Sequence, residues 1–227
     1  MKRYIKNMNM LSKDENEKLK GFKVCVVGCG GLGGYIIEML GRLGIGHITA
    51  VDGDVFDQTN LNRQILSNDE SLGQSKALTA QRRMELVNPL IELIPITERI
   101  TKENAEAILY GHDLIIDAVD KIDTRFLLQN SASKLEIPIV HGAIAGWYGQ
   151  VSTIFPGDNT LDKIYPIKDG DGLENEFGNP SFTPALIASI QVSESLKVLL
   201  HRGETLRNKL LYIDLLENDY IVMELME

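Results

Sequence analysis

The sequence is short of cysteine and of positive charge, and it has no long uninterrupted hydrophobic run. Its two cysteines, Cys25 and Cys29, fall inside one apolar, glycine-rich segment, which leaves no material for a disulfide framework or for the paired-cysteine pattern of a zinc site. Such usage points to a reducing, cytoplasmic setting. Gly, Arg or Asp breaks every apolar stretch before the ~18 residues that cross a bilayer, so a soluble chain with no membrane role is expected. Lys and Arg number 23 against 32 Asp and Glu, a formal net charge of −9. That balance argues against nucleic acid as a partner, because duplex binding draws on clustered cations that displace counterions. No secretory leader is expected either: after Lys2, Arg3 and Lys6 the chain runs into Lys13, Asp14, Glu15, Glu17 and Lys18 rather than an apolar core.

What is present is a repeating strand and helix rhythm over 227 residues, a length suited to one domain, 1–227. Phe22–Gly28 is a continuous apolar, β-branched run, as in a strand covered on both faces. Apolar residues at helical spacing follow from Tyr35 to Leu43 and stop at Gly44 and Gly46. His47–Val51 reads as a second strand, Ser75–Val87 as a helix ended by Asn88-Pro89, and Ile91–Ile96 as a third strand. Thr101–Asn104 opens a short helix, Asp113–Val119 is a fourth strand, Asp123–Leu135 a helix and Ile137–Val140 a fifth strand. Alternation of this kind enforces parallel pairing with helical crossovers, hence a Rossmann-like, doubly wound α/β fold with a mostly parallel sheet. Beyond Gly149 the character changes. Gln150–Phe155 is a strand, 156–184 a loop rich in Gly, Asp, Asn and Pro, and Pro184–Leu200 a helix. Leu210–Leu216 with Tyr220–Leu225 forms a hairpin, a C-terminal antiparallel extension that makes the sheet mixed.

Gly28-Cys29-Gly30-Gly31-Leu32-Gly33 fits G-x-G-x-x-G directly after a strand and at the opening of a helix. Glycines allow the tight turn, and bare backbone N–H groups at the positive end of a helix suit phosphate oxygens. Asp52, roughly 20 residues further on at the end of the second strand, stands where a carboxylate accepts ribose hydroxyls. Simple helix-on-strand packing is the bland alternative for these glycines, and the strand, turn and helix context favours nucleotide binding over it. The loop and Asp52 by themselves suit an NAD-dependent oxidoreductase as well as an ATP enzyme.

Arg63 and Lys76 follow the ribose strand, in Asn60-Leu61-Asn62-Arg63-Gln64 and Gly73-Gln74-Ser75-Lys76. Hydride transfer has no use for two cations there, whereas folded over a triphosphate they would stabilise a leaving pyrophosphate. Asp120 follows the fourth strand, at the crevice of an open α/β sheet, and suits Mg2+, which takes one or two carboxylates together with phosphate oxygens and water. Asp54 and Asp57 are further acidic groups for that metal, with solvated loop carboxylates as the bland reading.

The ordered set GCGGLGG, VDGD, TNLNRQ, GQSK and DAVDKIDTR resembles the ThiF/MoeB/HesA family, related to the ubiquitin-activating enzymes, over about Arg3 to Leu200. The resemblance implies ATP- and Mg2+-dependent adenylation of the C-terminal glycine carboxylate of a small ubiquitin-like sulfur-carrier protein ending in Gly-Gly, with release of pyrophosphate, for sulfur transfer in cofactor biosynthesis. Carried over by motif position, Gly30 and Gly33 face the phosphates and Asp52 the ribose. Asn60, Arg63 and Lys76 also face the phosphates, and Asp120 holds Mg2+. Gly28, Gly31, Asp54 and Gln64 complete the nucleotide-binding set, with Arg63, Lys76 and Asp120 as the candidate catalytic residues. The same resemblance divides the chain into an N-terminal arm (1–20), a nucleotide-binding half (21–145) and a carrier-binding half (146–227).

Departures from the family pattern matter. Many relatives carry two CxxC pairs on zinc, but no cysteine follows Cys29, so no zinc is expected. The loop 156–184 likewise offers no thiol, and adenylation without a thioester or acyl-disulfide on this chain is expected. In the family an arm of the form R-Y-x-R-Q reaches a neighbour's ATP across a dimer. Here it reads Arg3-Tyr4-Ile5-Lys6-Asn7, so Lys6 keeps the charge without the bidentate fork, and a homodimer is expected by resemblance.

Other residues have two readings each. Cys29 is a reactive thiol or a small packing element, and His141 a substrate contact or a satisfied structural donor. Trp147 and Tyr148 grip a partner's tail or cap the sheet, while Arg125 pairs with an acidic neighbour or with the nucleotide. Three other functions compete with adenylation of a carrier. A related tRNA-modifying dehydratase is disfavoured by the net acidity. A noncatalytic nucleotide-binding scaffold and an NAD-dependent oxidoreductase are disfavoured by the presence of Arg63, Lys76 and Asp120 together.

Overall fold

The computed structural model describes residues 2–168 and 174–225. A 3-10 turn over Lys2–Asn7 and helix α1 (Lys13–Lys18) lead into β1 (Lys23–Val27), α2 (Gly31–Leu43), β2 (His47–Val51), α3 (Lys76–Val87) and β3 (Glu92–Ile96). Next come α4 (Ala105–Leu109), β4 (Leu114–Asp117), α5 (Ile122–Leu135), β5 (Ile139–Ala145) and β6 (Tyr148–Ile154). The chain continues through α6 (Thr160–Ile164), α7 (Glu174–Phe177), α8 (Phe182–Leu200), β7 (Lys209–Asp214) and β8 (Asp219–Glu224). The strands form one sheet of order β3-β2-β1-β4-β5-β6-β7-β8. β3 to β5 pair in parallel, and β6 to β8 add antiparallel ladders. The fold is therefore the mixed, mostly parallel α/β sheet with an antiparallel extension. Chain order reverses between β1 and β4, which is where such sheets open a ligand crevice at the strands' carboxyl ends.

Two apolar layers sandwich the parallel strands. On one face Val24, Val26, Ile48, Ile116 and Val140 meet Ile36, Leu40, Ala80, Ile187 and Val192 of α2, α3 and α8. On the other, Cys25, Val27, Ile115 and Ile139 meet Leu109, Phe126, Leu128, Ala132 and Leu161 of α4, α5 and α6. Period-2 alternation thus sends neighbouring residues of β1 into different layers, so both need to be apolar. Each such buried Val or Ile contributes roughly 1.5–3 kcal/mol.

The N-terminal turn is pinned at the opposite end of α2 from the crevice. Tyr4 lies against Gly44, and its hydroxyl accepts from Asn88 Nδ2 (2.7 Å). Asn7 Nδ2 donates to Leu43 O (3.2 Å), and Arg3 bonds Val87 O.

Three sequence expectations change. Residues 101–104 form a turn in which Asn104 Oδ1 accepts from Thr101 N–H (2.7 Å), and α4 starts only at Ala105. β5 runs on to Ala145 because antiparallel β6 pairs with it along its length, Ala145 opposite Tyr148. The stretch 156–184 is not a bare loop: it holds α6, anchored by buried Leu161, whose N–H donates to Gln129 Oε1 (2.9 Å), and α7. Residues 169–173 of that stretch lie outside the described residues. Among the described residues no helix is long and apolar enough to cross a membrane.

Candidate active site

At the carboxyl ends of β1 to β4 lies a cleft of roughly 570 Å³. Its floor is the glycine loop. Gly28 takes φ +97°, the left-handed region, and a Cβ there would sit 2.4 Å from Ala118 O, so only glycine lets the chain turn this close to β4. No side chain caps α2, which leaves the first N–H groups of this helix for a ligand oxygen. Gly28, Gly30 and Gly31 line the cleft. Gly33 does not: a Cβ there would lie 1.7 Å from Gly28 O, so its bareness lets α2 pack on the loop.

Asp52 lines the wall after β2. Its Oδ2 accepts from Cys29 N–H (2.7 Å) and its Oδ1 from Asp54 N–H (2.8 Å). Burial raises its pKa against the lowering effect of those two bonds. The carboxylate therefore orders the glycine loop while each oxygen keeps a second lone pair for a hydroxyl.

Lys76, the first residue of α3, is buried beside the cleft, its Nζ 3.8 Å from Asp54 Oδ2. Arg63 Nη1 donates to Thr59 O (2.8 Å) and Asn62 Oδ1 (3.0 Å), and Asn62 Nδ2 donates to Asn179 O (3.0 Å). The guanidinium is thereby tied to the segment that precedes α8. Gln64 lies buried against Gly30, and its Oε1 lacks a hydrogen-bond partner among the described residues. An orphan acceptor beside an uncapped helix end is what a ligand donor would satisfy.

Asp120 is exposed at the opposite wall, on the turn between β4 and α5. The preceding peptide is held at both ends: Val119 N–H donates to Asp117 Oδ1 (3.1 Å), and Arg125 Nη2 donates to Val119 O (2.8 Å). Behind it, His141 Nδ1 donates to Asp117 Oδ2 (2.7 Å), and Gln150 and Tyr165 approach His141 Nε2 at 3.2 and 3.3 Å. Tyr165 also bonds Arg125 and, through its hydroxyl, Gln150 Nε2 (2.8 Å). Burial lowers the pKa of His141, so the neutral ring is a satisfied structural group, and Arg125 is likewise engaged with protein. Burial pushes the Cys25 thiol up to about 12 and raises that of Cys29 well above its ordinary value. Cys29 is a packing element.

Three residues of the sequence-derived set are not brought to the cleft. Asn60 is buried and spent on its own turn, its Oδ1 accepting from Asp57 N–H (3.2 Å) and its Nδ2 donating to Thr59 Oγ1 (3.3 Å). Gly33 is behind the loop. Lys6 lies at the far end of α2, and a 13-residue helix puts it about 20 Å from its own cleft at 1.5 Å per residue. Asp57, for its part, accepts from Thr59 N–H (2.7 Å) as the cap of that turn. Among the described residues no group of three His, Cys, Asp or Glu side chains could hold a metal alone. A lone Asp120 carboxylate fits an Mg2+ whose other ligands are phosphate oxygens and water.

Sequence reasoning missed Arg99, which lines the cleft and donates from Nη2 to Asp54 Oδ1 (2.7 Å). The signal was there: a charged residue three positions past the end of β3 falls on the crevice side of an open sheet.

A model of the ThiF family matches residues 2–227. The chain belongs to the ThiF family. It is 35% identical to the sulfur carrier protein adenylyltransferase of Thermus thermophilus, over 96% of this chain and 84% of the relative. It is 32% identical to the SAMP-activating enzyme E1 of Haloferax volcanii, over 92% and 79% respectively. The fold matches the crystal structure of E. coli MccB with MccA at a TM-score of 0.81 and 21% identity, covering 98% of this chain and 71% of that one. As a ThiF-family member the chain is an adenylyltransferase, and that enzyme class uses ATP.

Proposed function

We propose that this adenylyltransferase joins AMP to the C-terminal glycine carboxylate of a small ubiquitin-like sulfur-carrier protein ending in Gly-Gly. The observation that carries the reading is the meeting of Arg63, Lys76 and Asp120 on one cleft floored by the uncapped start of α2. In this reading the glycine-loop N–H groups take the phosphate oxygens and Asp52 takes the ribose hydroxyls. Arg63 and Lys76 offset charge that builds on the departing pyrophosphate. A carrier carboxylate oxygen attacks the α-phosphorus. The bond from that phosphorus to the oxygen shared with the β-phosphate breaks, and pyrophosphate leaves with the electron pair. Mg2+, when bound at Asp120, would neutralise phosphate charge. Gln64 Oε1, buried and unpartnered among the described residues, would accept from a ligand or water donor near Gly30.

The chain acts as one domain, with its arm at 1–20, its nucleotide half at 21–145 and its carrier half at 146–227. Trp147 and Phe182, tilted against each other with ring centroids 4.7 Å apart and both exposed, offer the carrier's tail an aromatic grip. Lys6, a helix length from its own cleft, serves the partner's phosphates in a homodimer. Cys25 and Cys29 are both buried, so neither thiol adds sulfur to the acyl-adenylate.

ATP–pyrophosphate exchange with Mg2+ and a carrier ending in Gly-Gly tests this. Exchange is expected only with the carrier, and to fall about 100-fold or more in Asp120→Ala. Absence of carrier-dependent exchange in the unaltered protein would overturn the reading.

A further inference from the structure

The segment after β3 borders the cleft next to the phosphate-facing groups: Asp54 Oδ1 accepts from Arg99 Nη2 (2.7 Å), while Asp54 Oδ2 stands 3.8 Å from Lys76 Nζ. β3 lies two places from β1 in the sheet, roughly 10 Å away at the usual strand spacing. With the phosphates on the loop after β1 and the ribose on Asp52 after β2, a nucleoside runs along the strand ends, and its base comes to lie over the end of β3. Of the residues after β3 that line the cleft, Glu98, Arg99, Ile100 and Thr101, Arg99 carries the planar side chain.

That segment is held in place. Asp52 N–H donates to Ile96 O (3.0 Å), and Asn104 Nδ2 donates to Arg99 O (3.0 Å). A Cβ on Gly53 would stand 2.7 Å from both Arg99 N and Arg99 Cγ, so the chain after β2 and the chain at Arg99 are in direct contact. The Arg99 side chain is 72% exposed, yet one edge of its guanidinium is fixed by Asp54 Oδ1 at 2.7 Å. An exposed, planar cation held by one edge keeps its faces available for a flat ring.

We propose that Arg99 is a base-binding residue of the nucleotide site: its guanidinium plane, oriented by Asp54, stacks on the purine of the bound nucleoside triphosphate. The inference rests on the nucleotide reading above and adds which residue meets the base. It separates Arg99 from Arg63 and Lys76. Those two act on phosphate charge, whereas Arg99 acts through its flat face.

Titration calorimetry of the full chain with ATP, and separately with inorganic tripolyphosphate, tests this without any carrier. Arg99→Ala is expected to weaken ATP binding by about fivefold to tenfold and to leave tripolyphosphate binding unchanged. Arg99→Tyr, which keeps a flat face and loses the charge, restores most of the ATP affinity, and Arg99→Lys, which keeps the charge and loses the plane, does not. In exchange assays the Arg99→Ala loss falls on KM for ATP with kcat preserved. The opposite pattern, rescue by lysine and not by tyrosine or a matching loss for tripolyphosphate, would overturn the base assignment. So would ATP binding unchanged in Arg99→Ala. Failure of the unaltered protein to bind ATP at all would instead strike the nucleotide reading itself, along with this one.

Discussion

In β1 every residue after Lys23 is buried, whereas all six residues of β8 are exposed, although both belong to the same eight-stranded sheet. β1 is central and lies between two layers of helix, so its apolar run Val24–Val27 is the core. β8 is the edge strand, and its run Tyr220, Ile221, Val222 and Met223 is 40% to 55% exposed. The same kind of sequence therefore means different things in the two regions. In the parallel half it builds the platform that aims glycines and charged groups at one cleft. In the extension it leaves an apolar edge of the sort that invites pairing, in keeping with a half proposed to receive a protein.

The contrast breaks most severely at the glycine loop. Gly33→Ala forces a Cβ onto backbone 1.7 Å away and is expected to cost about 3 kcal/mol and to abolish ATP binding. Thermal unfolding and ATP titration check both. Asp120→Ala, on an exposed side chain of the same half, is expected to leave Tm unchanged while exchange falls about 100-fold. Equal loss of stability and activity would mean that Asp120 is structural.

A direct comparison of the two regions uses one residue type. Val26→Ala, at 0% exposure, is expected to cost about 2 kcal/mol. Val222→Ala, at 53% exposure, is expected to stay within about 0.5 kcal/mol. Denaturant titrations of the two variants decide it, and a large cost at Val222 would reveal a packed partner already in place.

The smallest effect concerns pH. Burial depresses the folded pKa of His141, and of half-buried His112. A depressed value means the unfolded chain binds the proton first. Stability is full above the ordinary histidine value of about 6.5 and is lost as pH falls through it toward the folded value. His141→Asn is expected to flatten that decline between pH 7 and 5 in unfolding titrations, and an unchanged slope would mean that His112 alone carries it.

The strands and the cleft's main groups were legible because both rest on local rules. A strand buried on both faces has to be apolar throughout, and a glycine loop between strand and helix has few other uses. Arg63, Lys76 and Asp120 were readable by position along the α/β repeat. The place of Asn60 was not legible, because its side chain closes its own turn with Asp57 and Thr59, a choice that spacing does not reveal. α6 was invisible because its five residues are too few to show a period, and it is held by contacts with Gln129 of α5. The extra length of β5 came from pairing with β6, a long-range ladder rather than a local preference. Arg99 was overlooked because an isolated arginine after a strand carries no motif.

The central claim is that a carboxylate of another protein receives AMP in this cleft. Intact-mass analysis of a candidate carrier, after incubation with the unaltered enzyme, ATP and Mg2+, measures it most directly. The account predicts a mass gain of one AMP on the full-length carrier and none on a carrier lacking its last glycine. Bound ATP with no adenylate on any Gly-Gly carrier, or AMP attached equally to the shortened one, would contradict it.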